Sequence, residues 1–327
     1  RKEKLSMFCS ITPDRIISAP DVDSIYDIPL NFEKEKLSEK LCEILGVTCK
    51  KPDSTAWTAW KKFTHHAHNG KETVKIAMIG KYFETGDYIL SDSYLSVIEA
   101  IKYSAYSQNK KPIISWLNST DFEKYPEKLK ELKKYDGIIV PGGFGSRGVE
   151  GNLKAIRYAR ENKIPYFGLC YGMQMIVIEY ARNVLGLKDA NTREVNPNSK
   201  NMVIDVMESQ KENLKNNLYG GSMRLGGYKA ILRDGTIAKN SYGKKEIIER
   251  HRHRYEVNPS FVADLEAAGL VFSGRSPDGH LMEIAELPKS KHPFFLGTQF
   301  HPEFLAHPLA PHPLFTAFIK ACIGKKK

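Results

Sequence analysis

The chain has 327 residues, 41% of them hydrophobic and 10% aromatic, enough for one large domain or two smaller ones with real cores. No apolar run reaches the length of a membrane span and none reads as a signal peptide, so a protein without membrane helices is expected. Five cysteines (Cys9, Cys42, Cys49, Cys170, Cys322) are odd in number and lack CxxC spacing, which disfavours a disulfide framework or a zinc site and points to a reducing compartment; the net charge of +11 is mostly scattered lysine, including Lys325–Lys327, and reads as a solvated surface.

Residues 1–51 carry short strand-like pieces at 5–9, 15–18 and 25–29 and a helical run at 33–45. That is too little for an independent core. With Arg1 rather than Met at the start, the segment reads as the end of an upstream domain. Residues 52–73, with Trp57, Trp60 and three histidines but no clear period, read as a linker or packing segment. A doubly wound pattern fills residues 74–327. Strands are expected at 74–80, 112–117, 137–140 and 164–167. Helices are expected at 91–108, with Leu95, Ile98, Ile101 and Ala105 on one face, and at 122–134, 152–162 and 173–180. Alternating strands and helices predict an α/β fold of three layers, a mostly parallel sheet covered on both faces. Shorter strands are expected at 202–207, 226–232, 281–287 and 294–300, and a closing helix at 314–322.

Ligands in such sheets bind at the carboxyl ends of strands. Two motifs fall there: Pro141-Gly142-Gly143-Phe144-Gly145, and Gly168-Leu169-Cys170-Tyr171-Gly172. The second reads as a nucleophile elbow, its glycines permitting a sharp turn. The helix N-terminus that follows favours a thiolate on Cys170. A thiol nucleophile needs a base and an orienting group. His301-Pro302-Glu303 offers both: two residues apart in an extended chain, His301 and Glu303 point to one side. Taken alone, such a pair is usually a solvated strand end; beside a cysteine elbow it reads as a base and its orienter. Acyl transfer also needs oxyanion donors, for which the amides of Gly143 and Tyr171 are candidates. Alone, the glycine-rich loop is a tight turn or a phosphate loop, though it lacks the Lys-Ser/Thr of a Walker sequence. The run Arg250-His251-Arg252-His253-Arg254 leaves open RNA or phosphate contact, which nothing else in the sequence supports.

Pro-Gly-Gly, Gly-x-Cys-x-Gly-x-Gln and His-Pro-Glu, in that order, resemble the class I glutamine amidotransferases, and imply their flavodoxin-like fold. The blocks PGGFGSRGVEG (141–151), GGSMRLG (220–226) and ERHRHRYEVN (249–258), and the opening residues 1–29, resemble the CTP synthase family in particular. The resemblance implies Cys170, His301 and Glu303 as the catalytic set. It implies Gly143, Tyr171, Gln174, Glu194 and Arg254 as the glutamine site. A carboxylate for the α-amine and an arginine for the α-carboxylate are the expected chemistry. It implies hydrolysis of L-glutamine through a γ-glutamyl thioester. Ammonia would then serve a synthetase domain of the same protein, where ATP and Mg²⁺ support amination of UTP to CTP. GTP as activator, CTP as inhibitor, a homotetramer, filaments and a cytoplasmic location are further implications, with no metal and no cofactor in this chain and no nucleic acid or membrane partner. Lys4 and Val22 match nucleotide-site positions of the synthetase domain. A stand-alone hydrolase of the same fold, such as a γ-glutamyl hydrolase, and a non-catalytic assembly module are the alternatives. Two departures stand out: Tyr171 where many members carry Leu, which puts the pocket wall in question, and a short loop at 209–218, which puts GTP contacts there in question.

Overall fold

The computed structural model describes residues 1–50, 53–80, 84–85, 88–89, 94–206 and 223–324. The start of the helix expected from 91, the loop at 209–218, Gly220 and Gly221, and the lysine tail lie outside them. The chain divides into two units, Arg1–Lys71 and Glu72–Lys327.

The first unit is helical over 5–9 and 25–29, where short strands were expected, and irregular over 16–18. It contains α1 (Lys2–Cys9), α2 (Ile28–Lys34), α3 (Leu37–Leu45) and α4 (Ser54–Asn69). Apolar runs of four or five residues carry no period, so local helical hydrogen bonds decide. The helix expected over 33–45 is broken at Lys36, which adopts a left-handed φ of 55°. The segment read as a linker is mostly α4, capped by Asp53, whose carboxylate accepts from the Thr55 and Ala56 amides. Its small core is Tyr26 against Phe63, with ring centroids 5.0 Å apart, and Trp60 Nε1 donating to the Tyr26 carbonyl at 3.1 Å.

The second unit is built on a nine-stranded sheet. In chain order its strands are β1 (Glu72–Gly80), β2 (Lys110–Asn118), β3 (Gly137–Val140), β4 (Tyr166–Leu169), β5 (Arg224–Leu232), β6 (Glu246–His253), β7 (Val271–Arg275), β8 (Met282–Glu286) and β9 (Phe295–Thr298). The spatial order is β6-β5-β7-β8-β9-β4-β3-β1-β2. Strands β2, β1, β3, β4 and β9 run parallel; the remainder is an antiparallel extension. Alternate residues of β1 feed opposite layers. Ile76 and Met78 pack with α5 (Leu95–Ser107) and a C-terminal helix, Pro313–Gly324. Ala77 and Ile79 pack on the other side, with α7 (Val149–Glu161) and α8 (Tyr171–Asn183). This is the expected three-layer α/β fold.

Two helices differ from expectation. In α5 the buried face is Val97, Ala100, Ile101, Ser104 and Ala105, and Leu95 is exposed. The run at 122–134 is not one helix: α6 (Ser119–Lys124) stops at Tyr125, and Pro126 opens a 3₁₀ segment, Pro126–Lys134. Proline lacks the amide and disfavours helical geometry in the residue before it. A separate three-stranded sheet joins Asn191–Thr192, Met202–Val206 and Tyr255–Val257.

Strand β6 was not expected, because charge hides its period. Its burial alternates strictly: Ile247, Glu249, His251 and His253 are buried, while Ile248, Arg250 and Arg252 are exposed. The run that looked like one basic cluster is therefore split between two faces.

Candidate active site

Cys170 stands between the end of β4 and the start of α8, at φ 49° and ψ −95°. The strain of the turn thus falls on the cysteine itself, not on the flanking glycines, which are needed for close approach instead. A Cβ on Gly172 would lie 2.2 Å from the Val140 carbonyl oxygen, and one on Gly168 would lie 2.5 Å from the Gly172 carbonyl carbon. Helix α8 can press this tightly against β3 and β4 only without those methyls. Gly172→Ala therefore destabilises the chain by about 3 kcal/mol, the upper range for overpacking, as measured by urea unfolding. The helix is buried from Tyr171 through Ala181, so its N-terminal dipole acts on the sulfur with little screening by water.

His301 and Glu303 meet, but not along an extended strand. Strand β9 ends at Thr298, and Pro302 opens a 3₁₀ turn, Pro302–Leu305, that carries Glu303 back under the ring. The Nδ1···Oε1 distance is 2.7 Å. Phe304 stacks on the imidazole, with centroids 5.1 Å apart and planes at 19°. Gly142 lies against the ring, where a Cβ would sit 2.9 Å from Cε1. Burial opposes the imidazolium, but the Glu303 carboxylate and the Cys170 side chain outweigh it and hold the His301 pKa well above its ordinary value. The imidazole is thus a strong proton acceptor, held in one tautomer by Glu303.

A cavity of about 710 Å³ opens over these groups. Gly143, Cys170, Gln174, Glu194, Arg254, His301 and Glu303 all line it. Glu194 follows the short strand Asn191–Thr192 and accepts from the Gly145 amide at 2.9 Å, which ties it to the glycine loop. Gln174 sits one turn into α8. Its amide nitrogen is 3.0 Å from the Tyr255 carbonyl and 3.3 Å from Gln299 Oε1, so its NH₂ faces inward. Tyr171 is different: its ring is buried in the core between sheet and helices and is not among the groups lining the cavity. Its amide is the first of α8, where helix amides point out of the end. Tyr94, Ser96, Val97, Phe304, Arg252 and Tyr255 also line the cavity. Arg252 and Tyr255 fall within the ERHRHRYEVN block, yet sequence reading missed them as pocket residues; the others come from a helix start and a turn, neither of which carries a local motif.

Behind the cavity lies a buried ring of polar groups that sequence reading did not find. Arg224 Nη1 is 2.7 Å from Glu283 and 3.5 Å from Glu256. His251 Nδ1 and His253 Nε2 are 2.8 Å apart, and each histidine faces one of the glutamates, at 3.7 and 3.4 Å. Burial first, then His253 and Arg224, push His251 down to about 2. Burial, then Arg224, pushes His253 down to about 3. Both rings are therefore neutral at physiological pH. Burial raises Glu256 well above the carboxylate range, with Glu283 adding to it, and raises Glu283 to about 7 against the pull of Arg224.

In the first unit, Val22 is half-buried at a shallow pocket of about 320 Å³ with Asp21, Asp23 and Asp27. Lys4 is exposed on α1 and is not among that pocket's lining residues. Among the described residues no group of three or more His, Cys, Asp or Glu is placed to hold a metal ion, and no helix is long and apolar enough to cross a membrane.

A thiol on an elbow and an imidazole–carboxylate pair share one pocket with a further carboxylate and an arginine, the arrangement of a cysteine-dependent acyl-transfer site. The family described as glutamine amidotransferase class-I matches residues 89–321, and the chain belongs to it. The branch is that of the CTP synthases: the CTP synthase N-terminus family matches residues 1–47. The chain is 46% identical to the CTP synthase of Methanocaldococcus jannaschii, over 99% of this chain and 59% of that protein. It is 48% identical to that of Carboxydothermus hydrogenoformans, over 99% of this chain and 58% of that protein. It thus spans under three fifths of the length of these curated relatives. Among solved structures it is similar to the Trypanosoma brucei CTPS glutaminase domain with bound acivicin, with a TM-score of 0.70 and 37% identity, covering 77% of this chain and 94% of that one.

Proposed function

We propose that this chain is the glutaminase part of a CTP synthase, joined to the end of its synthetase domain. The observation that carries the reading is the convergence of Cys170, His301–Glu303, Glu194 and Arg254 on one cavity. Glutamine enters with its α-amine toward Glu194 and its α-carboxylate toward Arg254. His301 takes the Cys170 proton, and the sulfur attacks the γ-carboxamide carbon. The amides of Gly143 and Tyr171 receive the oxyanion. The C–N bond breaks as His301 returns the proton to the leaving nitrogen, releasing ammonia and leaving a γ-glutamyl thioester. Water, deprotonated by His301, then cleaves the C–S bond to give glutamate and the free thiol.

In the full-length protein the ammonia would displace phosphate from UTP activated by ATP at its 4-oxygen, giving CTP. We place the ATP and Mg²⁺ sites in the part of the synthetase domain that this chain does not contain, with Lys4 and Val22 at its margin. Activation by GTP, a homotetramer able to form filaments, and a cytoplasmic location belong to the same proposal.

The test is a glutamine-analogue electrophile followed by peptide mass analysis. The expected result is one adduct, on Cys170, prevented by excess L-glutamine. Labelling of another cysteine, or no protection by glutamine, overturns the reading.

A further inference from the structure

Gln299 precedes the His-Pro-Glu turn by two residues and is fully buried. Its place follows from strand register. Strands β9 and β4 are parallel, with Phe295 opposite Tyr166 and Thr298 opposite Leu169, so the next pair is Gln299 and Cys170. The Cys170 amide donates to the Thr298 carbonyl at 2.6 Å, and the Gln299 amide donates to the Glu283 carbonyl at 2.8 Å. Both backbones are therefore fixed. The Gln299 side-chain nitrogen lies 3.6 Å from Cys170 Sγ, within hydrogen-bond reach of a sulfur acceptor.

Which end of that side chain faces the sulfur is settled by a chain of donors. The Tyr255 carbonyl can only accept, so the group 3.0 Å from it must be the NH₂ of Gln174. That same NH₂ lies 3.3 Å from the Gln299 side chain, which must therefore present its oxygen there. The remaining end of Gln299, toward Cys170, is its NH₂. A backbone carbonyl thus sets the polarity of two consecutive amides, and the sulfur receives a donor that no protonation event can remove.

We propose that Gln299 is a further catalytic residue, its side-chain amide donating a hydrogen bond to the Cys170 sulfur and stabilising the thiolate, with Gln174 as the positioning residue that orients it. His301 can hold the thiolate only while it is charged. That charge comes and goes with each proton transfer: gained from Cys170, given to the leaving nitrogen and regained from the attacking water. Gln299 has no proton to give up and acts on the sulfur both as nucleophile and as leaving group. The inference builds on Cys170 as the nucleophile, but it is read on the sulfur without glutamine, so it can fail while the glutaminase reading stands.

The experiment is the pH dependence of iodoacetamide alkylation of Cys170. The Cys170 peptide is followed by mass, because Cys9, Cys42 and Cys49 are also accessible to some degree. In Gln299→Met the alkylation midpoint moves up by about one pH unit, the usual effect of losing one donor to an anion. In Gln299→Glu, equal in size but with a carboxylate facing the sulfur, it moves up further. A purely structural role lowers the thermal midpoint and leaves the alkylation midpoint in place. A wild-type midpoint in either folded variant overturns the proposal. Gln174→Met keeps Gln299 but removes its orienting donor; it gives a smaller upward shift and decides the question if neither Gln299 variant folds, an unchanged midpoint again being the overturning result.

Discussion

Cys170→Ala lowers the rate of glutamine hydrolysis by at least about 10⁴-fold, because removing a covalent nucleophile leaves only binding and oxyanion stabilisation. The fold survives: alanine fits the space, and the backbone strain at φ 49° is unchanged. The companion variant separates chemistry from strain. Glycine adopts positive φ without a Cβ penalty, so Cys170→Gly is more stable than Cys170→Ala by about 1 kcal/mol, although both are inactive. Urea unfolding of the two variants, beside an ammonia-release assay, checks both statements. Residual hydrolysis near the wild-type rate would remove Cys170 from the mechanism. Equal stabilities would show that the turn is not strained.

Arg224→Met produces the largest loss of stability, and the loss depends on pH. Arg224 is the cation beside two buried carboxyl groups, Glu283 at 2.7 Å and Glu256 at 3.5 Å, and its guanidinium lies over the Tyr228 ring at 4.4 Å. Removing one partner of a buried ion pair costs about 3–5 kcal/mol. The sign of the pH effect follows from Glu283, whose folded pKa is about 7, above the ordinary 4.5. A group raised in this way favours the folded state fully below its unfolded value, and that contribution is lost as pH rises through the folded value. Without Arg224 the folded value rises further, so the unfolded chain releases its proton more readily than the folded one over a wider range. The destabilisation is therefore smallest near pH 5, where the carboxyls are neutral, and grows through pH 7 to 8. Denaturation curves at pH 5 and pH 8 measure it. The same ΔΔG at both would mean that the network carries no charge.

What the sequence discloses depends on which force shapes each segment. The parallel strands are legible because burial on both faces makes them continuous apolar runs, such as Ile138-Ile139-Val140. The elbow is legible because close packing allows nothing larger than glycine at 168 and 172. Strand β6 is not legible, although its period of two is strict, because its buried side includes Glu249, His251 and His253 rather than apolar residues. Those polar groups are tolerated inside only because Arg224, Glu256, Glu283, Tyr242 and His312 come to them from elsewhere in the chain. Gln299 is hidden for the same reason: its meaning lies in a register with β4, more than a hundred residues away. In the first unit, α1 is missed because none of its residues is buried, and α4 because only Phe63 and Thr64 are, too few to mark a sequence period.

The small sheet beside the cavity has a mechanical consequence. Its first strand, Asn191–Thr192, leads directly to Glu194, and its third, Tyr255–Val257, holds the carbonyl from which the two side-chain amides take their direction. The middle strand joins them, with the Arg193 amide donating to Ile204 and the Asn258 amide to Val203. A tilt of this sheet would displace Glu194 and the Gln174–Gln299 amide pair together. One hydrogen-bonded element thereby sets the placement of both the cavity carboxylate and the amide pair beside the sulfur.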